Sequence, residues 1–120
     1  VQPARDHAAF AMGMDRDALI TPASRSLAFT ATVGSAGVSP YGLGWFVSDY
    51  KGVRVIWHYG LWTASSSLVI KVPSQALTFV LLANSDGLSS PYPLGAGRLE
   101  TSPWAREFLE TFAIARLPLP

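Results

Sequence analysis

Between Tyr41 and Asn84 the chain alternates β-favouring runs with breaks too short to hold a helix. Breaks of that length turn a chain back on itself, because parallel neighbours need a crossover of a dozen residues or more. Four antiparallel strands are expected. The first covers Tyr41–Tyr50 and is rich in aromatic residues. Lys51-Gly52 then closes a two-residue hairpin, a turn in which glycine accepts the required positive φ. The second strand covers Val53–Tyr59, and its alternation sets Val53, Val55, Trp57 and Tyr59 on one face and Arg54, Ile56 and His58 on the other. Gly60–Ala64 breaks the chain, Ser65–Val72 forms the third strand, and Pro73-Ser74-Gln75 turns into the fourth, Leu77–Asn84. This last run is apolar on both faces, which predicts a central strand buried on both sides.

The flanks read differently. In residues 1–40, Asp15–Ile20 suggests a helical turn that Thr21-Pro22 should stop, because the residue before proline avoids the α region. Val33–Pro40 reads as a loop. Beyond the sheet, Asn84–Gly87 turns and residues 88–102 are rich in Pro, Gly and Ser. A helix is expected from Pro103 to Arg116, with Ser102 as N-cap and Pro103 at its first position. Trp104, Phe108 and Phe112, with Leu109 beside them, would form its apolar stripe, and Pro118 and Pro120 would forbid its continuation. The predicted fold class is α+β, a four-stranded antiparallel sheet with a C-terminal helix packed on one face. Residues 1–40 form a lead-in and residues 41–120 the sheet-and-helix part. The sheet's other face is expected to need a cover from outside the chain.

Composition narrows the function. Hydrophobic residues make up 49% and charged residues 14% of the 120, against roughly 25% charged in an ordinary globular domain. Such a chain is too apolar for intrinsic disorder. Five basic residues face four acidic ones in the first sixty positions, and four face four in the last sixty. No basic stripe is present to neutralise phosphates, so a nucleic-acid partner is not expected. There is no cysteine, and the histidines, His7 and His58, lie 51 positions apart, so no metal or other cofactor is expected. The longest apolar runs fall far short of a membrane span. The chain opens Val-Gln-Pro, which reads as a fragment or a processed chain.

The chemistry-bearing candidate is Trp57-His58-Tyr59-Gly60-Leu61, where a titratable ring ends a strand just before a glycine. A histidine there can equally do no more than bond a neighbouring carbonyl. Ser65-Ser66-Ser67 lacks a nucleophile elbow, and Ser67 stands about 13 Å along the strand from Lys71, at roughly 3.3 Å per residue. His7 is expected at the surface, Asp86 as a turn residue, and Tyr41, Trp45 and Phe46 as core or rim.

Taken in order, Tyr41-Gly42-Leu43-Gly44-Trp45, Trp57-His58-Tyr59-Gly60, and Pro73 followed by Leu77–Asn84 with Ser85-Asp86-Gly87 resemble the C-terminal part of the serine β-lactamase-like family. That family includes class C β-lactamases, D-alanyl-D-alanine peptidases and related esterases. The resemblance covers about residues 10–115 and implies a β-lactamase-like fold, in which a sheet faces a helical lobe across the active site. It implies acyl transfer through a serine ester, using a Ser-x-x-Lys motif, a Tyr-x-Asn or Ser-x-Asn motif and a Lys-Thr-Gly-like motif. His58 matches the lysine of the third motif, Tyr59 its threonine or serine, and Gly60 its glycine. Leu61 matches the residue whose backbone N–H forms half of the oxyanion hole. The first two motifs are expected to be missing, so the segment would not complete catalysis alone. Histidine loses its charge near pH 6.5 whereas lysine keeps it to about pH 10, which favours an esterase or peptidase parent over a dedicated β-lactamase.

The resemblance thus implies the C-terminal segment of a serine hydrolase acting on a small-molecule or peptide-like acyl substrate. The resemblance also implies a parent that is periplasmic, secreted or held at the cell surface. The alternative is a non-catalytic sheet module that pairs with another copy, or with the missing N-terminal part, through an exposed edge. A small binding protein for a lipid or aromatic ligand is the weakest reading and rests only on the aromatic residues of Tyr41–Phe46.

Overall fold

The computed structural model describes residues 2–117. Its centre is a four-stranded antiparallel sheet in sequence order, β3 (Phe46–Tyr50), β4 (Val53–Trp62), β5 (Ser65–Val72) and β6 (Leu77–Ala83). Before it come helices α1 (Ala4–Asp15) and α2 (Pro22–Ala28) and a small hairpin, β1 (Val33–Gly34) with β2 (Gly37–Val38). After it the chain runs through short 3₁₀ turns into α3 (Pro103–Phe108), a π-helical turn at Leu109–Ala113 and a last 3₁₀ turn at Ile114–Arg116. The α+β class, the four-stranded antiparallel sheet and the C-terminal helix are as the sequence predicts. The prolines expected to end that helix, Pro118 and Pro120, lie outside the described residues.

The first hairpin forms as its residues dictate. Lys51 and Gly52 take φ of 50° and 82° between the paired Tyr50 and Val53, the left-handed conformations of the tight turn that matches strand twist. Asp49 Oδ1 accepts the Gly52 N–H at 2.9 Å. On one face of the sheet, Val53, Val55, Trp57, Leu68, Ile70 and Val72 pack with Leu94 and Leu99 and with Ala105, Phe108, Leu109 and Ala113 of the C-terminal helical segment. Each of the fully buried Val, Leu and Ile side chains contributes roughly 1.5–3 kcal/mol. The Ser102 side chain accepts the Ala105 N–H and caps α3 as predicted.

Several expectations need correction, and Val33–Pro40 is not a plain loop but carries the paired β1–β2 hairpin. β4 does not break at Gly60 but runs on to Trp62, with the two-residue turn at Thr63-Ala64. The first strand starts at Phe46, because residues 41–45 loop against the end of α2, where Leu43 N–H donates to Ala28 O at 3.1 Å. Asp15–Ile20 is not a helix; α1 ends at Asp15, and Pro22 starts α2 with Thr21 accepting from Ser24 N–H. The proline rule correctly places Thr21 in extended backbone but does not show that a new helix follows. β6 is an edge strand, its apolar residues half-covered by α1 and α3 rather than by a further strand. The helix buries Ala105, Phe108, Leu109 and Ala113, while Trp104 and Phe112 stand half out of it.

The sheet's second face does not wait for a cover from outside. The chain covers that face itself, as Met14 of α1, Ala28 and Phe29 at the end of α2, and Trp45 close over Ile56 and Val69. A single buried cation fastens this layer. Lys71 is 1% exposed, and its Nζ donates to Asp15 Oδ2 at 2.7 Å, to Ala11 O at 3.1 Å and to Thr78 Oγ1 at 3.3 Å. α1 is thereby held over β5 and β6. At the opposite corner Glu110 Oε1 accepts from Tyr50 Oη at 2.8 Å and from Lys51 Nζ. The Lys51 bond, then the Tyr50 bond, holds the Glu110 carboxyl below its usual range, and the same contact raises Lys51. Burial first, then Glu110, raises the Tyr50 phenol.

Removing one partner of a buried pair leaves an uncompensated charge, whereas replacing the charge by an apolar chain of similar length removes the need for one. Asp15 is itself 38% exposed, so water offsets part of that loss; Asp15→Ala is expected to cost about 1–2 kcal/mol, below the range for a fully buried pair, and Lys71→Met clearly less, as measured by urea unfolding. A larger loss for Lys71→Met would contradict this role for the buried ammonium.

Candidate functional site at the open edge of the second long strand

β4 is ten residues long and β3 only five. Their register runs from Tyr50↔Val53 to Phe46↔Trp57 and stops there. Across β5, by contrast, β4 stays paired from Ile56↔Lys71 to Trp62↔Ser65. Residues 58–62 therefore have a neighbouring strand on one side only.

Strand parity decides which groups face the gap. The pair closing a two-residue hairpin exchanges both backbone bonds, and alternate residues repeat the pattern. Val53, Val55 and Trp57 therefore aim their N–H and C=O groups at β3, and His58 and Gly60 aim theirs at β5. Tyr59 and Leu61 continue the first set, beyond the end of β3. The Gly60 carbonyl supports the same parity, since it accepts from Ser89 Oγ at 2.9 Å while Ser89 Oγ also lies 3.5 Å from the carbonyl of Ser67, its partner across the ladder. In a trans peptide the N–H points opposite to the C=O, so Leu61 N–H points away from β5 into the gap. Among the described residues no backbone acceptor meets it there.

The side chains around this edge form two clefts that share His58. One, of about 510 Å³, is lined by Tyr41, Phe46, His58, Tyr59, Leu61 and Gly95. The other, of about 380 Å³, lies on the α1 side and is lined by His7, Phe10, Tyr41, Gly44, Trp45, His58 and Val69. His58 Nε2 and Tyr41 Oη are hydrogen-bonded at 3.1 Å, which fixes the imidazole between the clefts. The Tyr59 ring lies 5.9 Å from that of His58, nearly parallel to it. His58, Tyr59 and Gly60 are half-buried and Leu61 is exposed. Gly60 has a local reason to be glycine, because a Cβ there would stand 2.4 Å from Ser67 Oγ on the facing strand.

The four sequence-derived site residues thus share one strand end, with the Leu61 N–H and the His58 ring both at the open edge. Three contributors were not legible as such. Tyr41, expected as core or rim, does pack half-buried against the core, and its hydroxyl also holds His58. His7, expected at the surface, is half-buried beside Phe10 in the smaller cleft. Ser89 is buried beneath the Gly60–Leu61 peptide. None has a local pattern that announces it, since each is brought in by a distant loop or helix.

The serines fall elsewhere. Against expectation a Ser-x-x-Lys spacing does occur, at Ser48–Lys51. Its geometry is not that of a nucleophile and base. Ser48 Oγ accepts from the buried Trp57 indole at 2.9 Å, and Lys51 sits in the hairpin turn bonded to Glu110. Ser66 is buried, donating to Ser85 O and accepting from Leu88 N–H. Asp86 serves its turn through its carbonyl, which accepts from Ser89 and Ser90 N–H. No cluster of metal-ligating side chains and no helix long and apolar enough to cross a membrane occurs among the described residues. Comparisons with protein-family models, with curated proteins and with solved structures find no match to this chain.

Proposed function

We propose that this chain is the C-terminal segment of a serine hydrolase with a β-lactamase-like fold, and that it contributes the oxyanion-binding strand of an acyl-transfer site. The observation that carries the reading is the unpaired Leu61 N–H at the open edge of β4, beside a histidine fixed by Tyr41. The ordered motifs from Tyr41 to Gly87 support it independently.

In this reading a serine hydroxyl from the rest of the enzyme adds to the acyl carbon of an ester or amide and passes its proton to a base there. The carbonyl oxygen becomes an oxyanion and accepts the Leu61 N–H. One such donor is worth about 3 kcal/mol in the barrier. The bond to the leaving group breaks as that group takes up the proton, and water then cleaves the acyl-serine ester through the same oxyanion. His58 and Tyr59 line the cleft and offer polar contacts to the substrate. The 380 Å³ cleft, walled by Phe10 and Trp45, suits an apolar acyl substituent. Ser48 and Ser66 are occupied structurally, so the reading assigns the nucleophile to the rest of the enzyme.

Incubation of the folded chain with a fluorophosphonate, followed by intact-mass analysis, is expected to show no adduct. A stoichiometric adduct on Ser48 or on any of Ser65–Ser67 would overturn this division of labour.

A second reading, a non-catalytic module that assembles through its sheet edge, is favoured by one feature. β6 is an edge strand of seven residues without a charge, flanked by a groove of Phe79, Leu81, Trp104, Phe108 and Phe112. Edges of this kind pair readily. Light scattering over a hundredfold concentration range discriminates. A monomer throughout is expected if acyl transfer is the function, and a stable dimer abolished by Val80→Lys would favour the module.

A further inference from the structure

Ser89 is 1% exposed, lies outside every motif of the acyl-transfer reading and comes from a loop beyond the sheet. Its position is fixed by its own backbone, since its N–H donates to Asp86 O at 3.1 Å and its carbonyl accepts from Tyr92 N–H at 3.1 Å. The loop is clipped to β5 just before it, where Leu88 N–H donates to Ser66 Oγ at 3.1 Å. From this rigid seat the hydroxyl donates to Gly60 O at 2.9 Å.

The carbonyl it bonds belongs to the same peptide unit as Leu61 N–H. Hydrogen bonding to the oxygen of an amide draws electron density towards that oxygen and makes its N–H a stronger donor, by about 10–30% in condensed phase. It also fixes the plane of the peptide, and so the direction in which Leu61 N–H points. Tyr59 N–H emerges on the same open edge, but the carbonyl of its peptide unit, that of His58, has no side-chain donor among the described residues. The two edge amides are therefore built differently.

We infer that Ser89 is a positioning residue for the oxyanion donor, bracing and polarising the Gly60–Leu61 peptide from behind. The inference rests on the acyl-transfer reading of the open edge. Its function would be to make the donor stiff before the substrate arrives, the condition under which a dipole stabilises developing charge without reorganising.

The test uses ¹⁵N–¹H spectra of the whole chain, wild type and Ser89→Ala, with phenylacetate as the probe oxyanion. In the free protein Ser89→Ala is expected to move the Leu61 amide proton upfield and leave that of Tyr59 in place. On titration the Leu61 amide of the wild type is expected to shift downfield, and Ser89→Ala to weaken that binding roughly threefold, as loss of a modest polarisation implies. A purely structural role would lower the unfolding midpoint without either effect. If alanine unfolds the chain, Ser89→Cys fills the same space with a weak donor and gives the same comparison. An unchanged Leu61 amide and unchanged affinity in the folded variant would overturn the inference alone. A Leu61 amide that answers to Ser89 but not to phenylacetate in the wild type would overturn the acyl-transfer reading, and the positioning role with it.

Discussion

The structure depends on β4 outrunning its neighbour. Five of the ten residues of β4, Val53–Trp57, pair with β3 on one side, and Ile56–Trp62 pair with β5 on the other. The paired half builds both cores, sending Val53, Val55 and Trp57 to one and Ile56 to the other. The unpaired half leaves backbone donors in a cleft. A buried edge of this kind would be costly, since an unmet backbone N–H away from water loses about as much as a hydrogen bond contributes. It is tolerable where the edge opens to solvent or to a ligand, and here it opens into the 510 Å³ cleft.

Placing that edge precisely requires both flanking layers to hold β4 and β5 still. On the α3 side, Leu109 and Ala113 close directly on the sheet. On the other side the clamp is electrostatic as well as apolar. The Lys71 ammonium gathers α1 and β6 around one buried point, and the same helix brings His7 and Phe10 to the cleft beside His58. A charge sunk into an apolar layer stabilises little in net terms, but it tolerates few alternative packings. It therefore sets where α1 lies, and through α1 the shape of the smaller cleft.

Local chemistry was legible in the sequence wherever it alone decides the structure. The Lys51-Gly52 turn, the bounds of β5, the two faces of Val53–Tyr59 and the Ser102 cap all follow from residues within a few positions of one another. Tertiary context decided the rest. Nothing within Leu77–Ala83 states whether a strand or a helix lies beside it, and the helices that half-cover it make an apolar run an edge. Gly60 suggests a strand break, but the strand runs through it, and its missing Cβ leaves room for the Ser67 hydroxyl on the facing strand. His58 and Leu61 could be singled out from their motif. Tyr41 and Ser89, which hold the first and brace the peptide of the second, reach the site through contacts 17 and 29 residues distant in sequence.

The Leu61 N–H stands free on an open strand edge. Amide hydrogen exchange resolved at single residues tests it directly. An alternation is expected along the end of β4, with His58 and Gly60 protected by β5, and Tyr59 and Leu61 exchanging as fast as exposed amides. Protection of Leu61 equal to that of Gly60 would mean that the edge is already paired, and an oxyanion could not be received there.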